Sequence, residues 1–170
     1  DPVDALSVPG GRIPTFAEPL QRSDAQTSMC AAWDTRLTDA VARFDPDLVV
    51  CAGFMKLLGQ TFLDRFGGRT INSHPALLPS FPGIHGPRDA LEYGVKITGA
   101  TVFMVDAGVD TGRILAQRAV PVLTHDTVES LRDRNKVEER EMVVPVVTEL
   151  AGVRPGMEEL GTESSRKDPQ

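Results

Sequence analysis

Asp47-Leu48-Val49-Val50-Cys51-Ala52-Gly53-Phe54 is a short, continuous apolar run with β-branched residues, which is how a strand buried on both faces of a parallel sheet reads. Upstream of it, Trp33, Leu37, Ala40, Val41 and Phe44 recur at helical spacing, and Asp45-Pro46 closes that helix by restricting the residue before proline. Downstream, a second helix is expected around Gln60–Phe66, stopped by Gly67-Gly68, and then a strand at Thr70–His74, ended by Pro75. A proline-rich loop follows, then a short helix over residues 87–93 with Gly94 at its C-cap. Residues 97–105 and 114–122 read as two more strands, separated by the loop 106–112. Asp126 with Glu129 three residues on is a capping-box signature, opening a long helix through Leu131, Val137 and Met142 toward Leu150. Pro145 is expected to kink or split that helix, and Asn135 falls on its apolar stripe, an odd place for an amide.

Strands alternating with helices predict an α/β domain with a mostly parallel central sheet, whose ligands sit beyond the carboxyl ends of the strands. Residues 1–150 read as a single domain and 151–170 as a polar tail; the Gly- and Pro-rich first 30 residues are expected to be loosely ordered. The 170-residue length suits one domain, and 41% hydrophobic with 25% charged residues is ordinary globular composition. A net charge of −6 argues against a general nucleic-acid binder, which needs clustered Lys and Arg. With no apolar run of about 18 residues and no basic and apolar zones at its start, the chain is expected in the cytoplasm, away from membranes. Cys30 and Cys51 lie outside any CxxC or metal spacing, so neither a disulfide nor zinc is expected, and Cys51 reads as a buried thiol.

Asn72 and His74, two apart at the carboxyl end of a strand, share one face and can address one reacting atom. Asp110, in a glycine-rich loop after another strand, joins them on the same rim if the two strands are parallel. Amide, imidazole and carboxylate together suit acyl transfer: the amide donates to a developing oxyanion, the imidazole donates or carries a proton, and the carboxylate fixes the ring. Taken singly, each has an ordinary explanation in turn chemistry or a solvated side chain. GxGxxG, GxxxxGK[ST], HExxH and GxSxG do not occur, and His85 and His125 give no ligand spacing with His74, so dinucleotide, P-loop, serine-hydrolase and metal readings are disfavoured.

The run Asn72-Ser73-His74-Pro75-Ala76-Leu77-Leu78-Pro79-Ser80-Phe81-Pro82-Gly83, followed by Gly99-Ala100-Thr101 and Val105-Asp106-Ala107-Gly108-Val109-Asp110-Thr111-Gly112, resembles the formyltransferase family that uses 10-formyltetrahydrofolate. Ala52-Gly53-Phe54-Met55-Lys56-Leu57-Leu58 and the Phe-Pro-Gly after Leu-Leu-Pro are most similar to the branch acting on glycinamide ribonucleotide in purine synthesis. The resemblance runs from about Ile13 to Leu150. It implies a Rossmann-like fold and formyl transfer from 10-formyltetrahydrofolate, the co-substrate, to the glycinamide amine, with no metal. It implies Asn72, His74 and Asp110 as the catalytic trio, Met55, Lys56, Leu57 and Leu58 with Asp106, Ala107, Gly108 and Val109 at the folate, and Asn72 and Glu139 at the acceptor. Glu138, one position away, leaves the register of Glu139 open, and Leu78-Pro79 matches a peptide that is cis in the family.

The family pattern begins here only near Arg12-Ile13-Pro14-Thr15-Phe16, so the expectation is a domain incomplete at its N-terminus, lacking the first strand and the loop that holds the substrate phosphate. That implies impaired turnover, and marginal stability or association through exposed strand edges, a homodimer included. Other formyl-folate enzymes, acting on methionyl-tRNA, on sugar nucleotides or with water as acceptor, and an inactive fragment of the fold, are the competing readings. The Phe81-Pro82-Gly83 loop and the lack of a basic C-terminal extension disfavour the tRNA enzyme.

Overall fold

The computed structural model describes residues 7–8, 11–12, 28–54 and 56–152. Two short strands, β1 (Ser7–Val8) and β2 (Gly11–Arg12), pair antiparallel. Then come α1 (Ser28–Ala42), β3 (Val49–Cys51), α2 (Gln60–Phe66), β4 (Thr70–His74), α3 (Gly86–Tyr93), β5 (Ile97–Met104), β6 (Ile114–Pro121) and α4 (Val128–Gly152). Strands β3 to β6 form one sheet in chain order.

The period of two along β4 sorts its residues between two layers. Ile71 joins a buried cluster with Ala100, Val102, Met142 and Val146, which seats α4 on one face. The Thr70 hydroxyl, pointing the other way, donates to the Phe66 carbonyl of α2 at 2.9 Å. On that second face Leu37, Phe62 and Phe66 form a core with Trp33, Val41, Val49, Phe54 and Leu58 packed around it. Phe62 and Phe66 have ring centroids 4.9 Å apart and are almost wholly buried, worth roughly 1.5–3 kcal/mol each relative to exposure.

The α/β architecture is as the sequence predicts, but the sheet is mixed. Among the described strands β3–β4 is parallel, whereas β4–β5 and β5–β6 are antiparallel. The β5–β6 link is residues 105–113, too short for the crossover that a parallel pair requires. The apolar run around Val49 yields only three residues of strand, at one end of the sheet, with Val50 partly exposed. Helix α1 ends at Ala42, so Phe44 lies beyond it in a turn and is half exposed. The α2 and β4 bounds match expectation, and Gly94 caps α3 in the left-handed conformation, φ 81°.

Pro145 does not split α4, which continues to Gly152. Proline removes one backbone hydrogen bond, and Met142 and Val146 on either side of it are clamped in the core. The residue that caps α4 is Thr127 rather than Asp126: the Thr127 hydroxyl accepts from Ser130 N at 3.2 Å, and Ser130 Oγ accepts from Thr127 N at 2.9 Å. Asp126 instead receives both guanidinium nitrogens of Arg134, together with Leu123 N and the Ser130 hydroxyl. The Arg134 bond first, and the backbone and hydroxyl donors after it, hold the Asp126 carboxyl well below the usual carboxylate range. A depressed folded-state pKa gives stability that is present above the unfolded value, near pH 4, and lost as pH falls below it. Acid titration followed by circular dichroism is therefore expected to show a less steep loss of stability below about pH 4 in Asp126→Asn than in the parent.

A polar contact without a local sequence signature joins the first two helices. Asp34, buried in α1, accepts from Gly59 N at 2.8 Å and Phe62 N at 3.2 Å, so a carboxylate from another helix caps α2. A side chain at position 59 would collide with that carboxylate. Asp34→Ala strands two amides and is expected to cost about 2 kcal/mol in urea unfolding.

Candidate active site

Strand β4 delivers Asn72 and His74 to the α2 side of the sheet, as their spacing predicts. Asn72 Oδ1 accepts from Ser73 N at 2.9 Å, which fixes the amide. Among the described residues its Nδ2 meets no acceptor, leaving two donor hydrogens for a ligand. His74 is 4% exposed. Its Nε2 donates to the Phe81 carbonyl at 2.8 Å, and its Nδ1 lies 3.5 Å from Asp110 Oδ2. Both ring nitrogens thus face an acceptor, so a doubly protonated ring has a partner at each end.

Asp110 arrives by a route the sequence did not predict. Because β5 runs antiparallel to β4, its end at Met104 lies opposite Ile71, away from His74. The loop after it starts beside Thr70, where Val105 N donates to the Thr70 carbonyl at 2.8 Å, and folds back along the sheet to bring Asp110 to His74. Asp106 supports the reversal, its Oδ1 accepting from Gly108 N at 3.0 Å and from the Thr111 hydroxyl at 2.7 Å. Asp110 itself takes a left-handed φ of 54°, which aspartate tolerates better than most residues. Its Oδ2 also accepts from Gly83 N at 2.7 Å. One carboxylate therefore ties the imidazole to the proline-rich loop.

That loop is clasped from the sheet. Thr101 Oγ1 donates to the Ala76 carbonyl at 2.7 Å and accepts from Leu78 N at 3.1 Å. Gln117 Nε2 donates to the Leu78 carbonyl at 2.8 Å and to Thr101 Oγ1 at 3.0 Å. Asn135, the amide on the apolar stripe of α4, donates to the Pro75 carbonyl at 3.1 Å, which explains its place. The Leu78-Pro79 peptide is cis.

Beside Asn72 and Asp110 is a recess of about 40 Å³ walled by Cys51, Phe54, Lys56, Leu57, Leu58, Phe103, Val105, Asp106 and Gly108. Of the residues that the resemblance places at the folate, Lys56, Leu57, Leu58, Asp106 and Gly108 are in this wall. Ala107 and Val109 are exposed outside it, and Met55 lies outside the described residues. The Lys56 ammonium sits 4.6 Å from the centre of the Trp33 ring. Of the adjacent glutamates, Glu138 pairs with Arg118 at 3.2 Å, and Glu139 accepts from the Ser73 hydroxyl at 2.7 Å. Glu139 therefore meets β4 next to the pair but from the α4 side, because Ser73 points away from its neighbours. Among the described residues no group of three His, Cys, Asp or Glu side chains is placed to hold a metal, and no helix is long and apolar enough to cross a membrane.

Burial pushes the Cys51 thiol up to about 11. At neutral pH its thiolate is about 100-fold scarcer than that of a thiol at 9, so iodoacetamide should label Cys51 roughly that much more slowly than a free thiol, measured in a Cys30→Ser variant. Labelling at the free-thiol rate would contradict the burial.

Sequence reasoning missed the Phe81 carbonyl, the Gly83 amide and the Gln117 clasp. Two are backbone groups without a residue-type signature, and Gln117 acts from a strand 39 residues from the carbonyl that it holds.

The family described as Formyl transferase matches residues 12–147. Phosphoribosylglycinamide formyltransferase of Mycobacterium tuberculosis H37Rv is 62% identical over 120 residues, covering 71% of this chain and 56% of that protein. The protein of the same name from Bacillus subtilis 168 is 39% identical over 142 residues, covering 83% and 70%. The crystal structure of phosphoribosylglycinamide formyltransferase from Streptococcus pneumoniae TIGR4 superposes with a TM-score of 0.70 at 39% identity, covering 74% of this chain and 70% of that one. The chain spans little more than half the length of the mycobacterial relative.

Proposed function

This chain belongs to the formyl transferase family, and from that premise we propose that it transfers a formyl group from 10-formyltetrahydrofolate to the amine of glycinamide ribonucleotide, a step of purine biosynthesis. The observation that carries the reading is the convergence of Asn72, His74 and Asp110 beside a recess with apolar walls and a polar loop. Those walls suit a flat heteroaromatic ring: Leu58, Phe103 and Val105 offer apolar contact, and the Asp106–Gly108 backbone offers hydrogen bonds along its edge. The recess is smaller than such a ring system, so Leu57, 64% exposed at its mouth, and Lys56 are the side chains that must swing aside.

When bound, 10-formyltetrahydrofolate supplies an electrophilic formyl carbon. Asn72 Nδ2 is free to donate to the formyl oxygen as negative charge develops there, and His74, whose ring nitrogens face the Phe81 carbonyl and Asp110, adds positive charge beside it when doubly protonated. Asp110 holds His74 and, through its uncommitted Oδ1 and a water, accepts the proton that the attacking amine must lose. Glu139, fixed by Ser73, stands for the acceptor's ribose hydroxyls. A cytoplasmic setting and small-molecule partners, without nucleic acid or membrane, fit the net charge of −6. Among the described residues β3 lies at one end of the sheet with Val50 partly exposed, an edge suited to pairing with a second copy of the chain as a homodimer.

The test is to mix the chain with a 10-formyl folate and glycinamide ribonucleotide and follow the folate absorbance. Acceptor-dependent turnover supports the reading. Folate binding without turnover would show that these residues hold the folate half alone, and consumption independent of the acceptor would favour a deformylase.

A further inference from the structure

Asn135 sits on the buried stripe of α4 with Leu131, Met142 and Val146, and is itself fully buried. Its Nδ2 donates to the Pro75 carbonyl at 3.1 Å, while its Oδ1 is buried with no hydrogen-bond partner among the described residues. A buried, unpaired amide oxygen weakens the fold, and an apolar side chain would continue the stripe without that penalty. Such departures from the local pattern collect at functional positions.

The Asn135 bond falls on the residue directly after His74. The pyrrolidine ring locks φ of Pro75 at about −65°. A bond to its carbonyl therefore fixes ψ, the remaining soft angle, and with it the direction in which the loop leaves β4. The loop so aimed returns its Phe81 carbonyl to His74 Nε2 at 2.8 Å and its Gly83 amide to Asp110 at 2.7 Å. The Pro75 carbonyl and the imidazole are also close in space: a Cβ added to Gly86 would meet the first at 3.1 Å and His74 Nε2 at 3.4 Å. One turn further along α4, Glu139 accepts from the Ser73 hydroxyl at 2.7 Å. Helix α4 thus grips the chain on both sides of His74, from the face opposite the imidazole.

We propose that Asn135 is a positioning residue for the transfer: by holding the Pro75 carbonyl it sets the register of the proline-rich loop. Through the Phe81 carbonyl and the Gly83 amide, that register sets where His74 and Asp110 stand. The role rests on the proposed function, because the loop aligns the formyl-transfer centre. Asn135, buried behind the strand, acts through these two backbone groups.

The test compares Asn135→Leu and Asn135→Ala with the parent, each as the full chain. Leu keeps the branched skeleton without the unpaired oxygen and Ala leaves a cavity, so Leu should be the more stable of the two in urea unfolding. In both, kcat for formyl transfer should fall by about 10-fold with the KM of each substrate within about 2-fold, as misalignment of a bound substrate predicts. Exchange of the Gly83 amide, followed by NMR, should be about 10-fold faster in both, with the His74 imidazole signals displaced at fixed pH. Activity that follows stability, lost in Ala and kept in Leu, overturns the proposal and leaves Asn135 a packing residue. So do parental Gly83 exchange and imidazole signals in Asn135→Leu. If the parent itself shows no acceptor-dependent turnover, the formyl-transfer reading fails. Gly83 exchange and the imidazole signals then still decide whether Asn135 sets the loop.

Discussion

His74→Ala is expected to lower formyl transfer by about 10²- to 10³-fold, because it removes the imidazole beside the developing oxyanion together with the partner that orients Asp110. The loss should fall on kcat. His74 is not in the wall of the folate recess, so the dissociation constant of a folate analogue should stay within about 2-fold of the parent. The imidazole also keeps the proline-rich loop and Asp110 in register, through Phe81 and Asp110 respectively. Asp110→Asn separates these parts: an amide can still accept from Gly83 N but carries no charge to stabilise an imidazolium and no basic oxygen. It should therefore keep the parent's thermal midpoint while losing activity.

The second large effect is on the fold and comes from one methyl group. In Gly112→Ala the added Cβ would run into the Met104 carbonyl, a backbone atom of β5 whose own amide is tied to the Arg113 carbonyl, rather than into a side chain that can turn away. Overpacking a rigid site costs roughly 1–3 kcal/mol, and a clash with backbone sits at or above the top of that range. Relief requires the loop 105–113 to move, and with it Asp110. We expect a fall of about 3 kcal/mol in urea-unfolding stability together with loss of activity, and in crystals of the variant a break between Asp110 and Gly83. A variant as stable as the parent would show that the loop is looser than its contacts imply.

The elements read most directly from the sequence are those with hard chemical boundaries. Gly67-Gly68 and Pro75 bracket α2 and β4, so both were bounded correctly, and with β4 came the shared face of Asn72 and His74. Strand direction was not legible in the same way. The segment between β4 and β5 contains helix α3, as a parallel crossover does, yet the pair is antiparallel. Side-chain patterns record which face is buried and not which way the chain runs. The sequence thus places Asp110 beside His74, as the structure does, but by a different path. Thr127 outcompeted Asp126 as the cap because the arginine eight residues on claims the carboxylate, a choice that no local motif records. Asp34 at the start of α2 is similar, a long-range contact between a common residue type and backbone amides. The resemblance supplied what geometry could not, the chemical identity of the proposed formyl donor.

The most direct test of the central claim, that Asn72, His74 and Asp110 form a formyl-transfer centre, is to follow the formyl carbon itself. With ¹³C-formyl-labelled 10-formyltetrahydrofolate and glycinamide ribonucleotide, ¹³C NMR should show the label appearing as a formamide on the acceptor, with the rate collapsing in His74→Ala. Label released as formate, or transferred equally fast by parent and variant, would contradict the account.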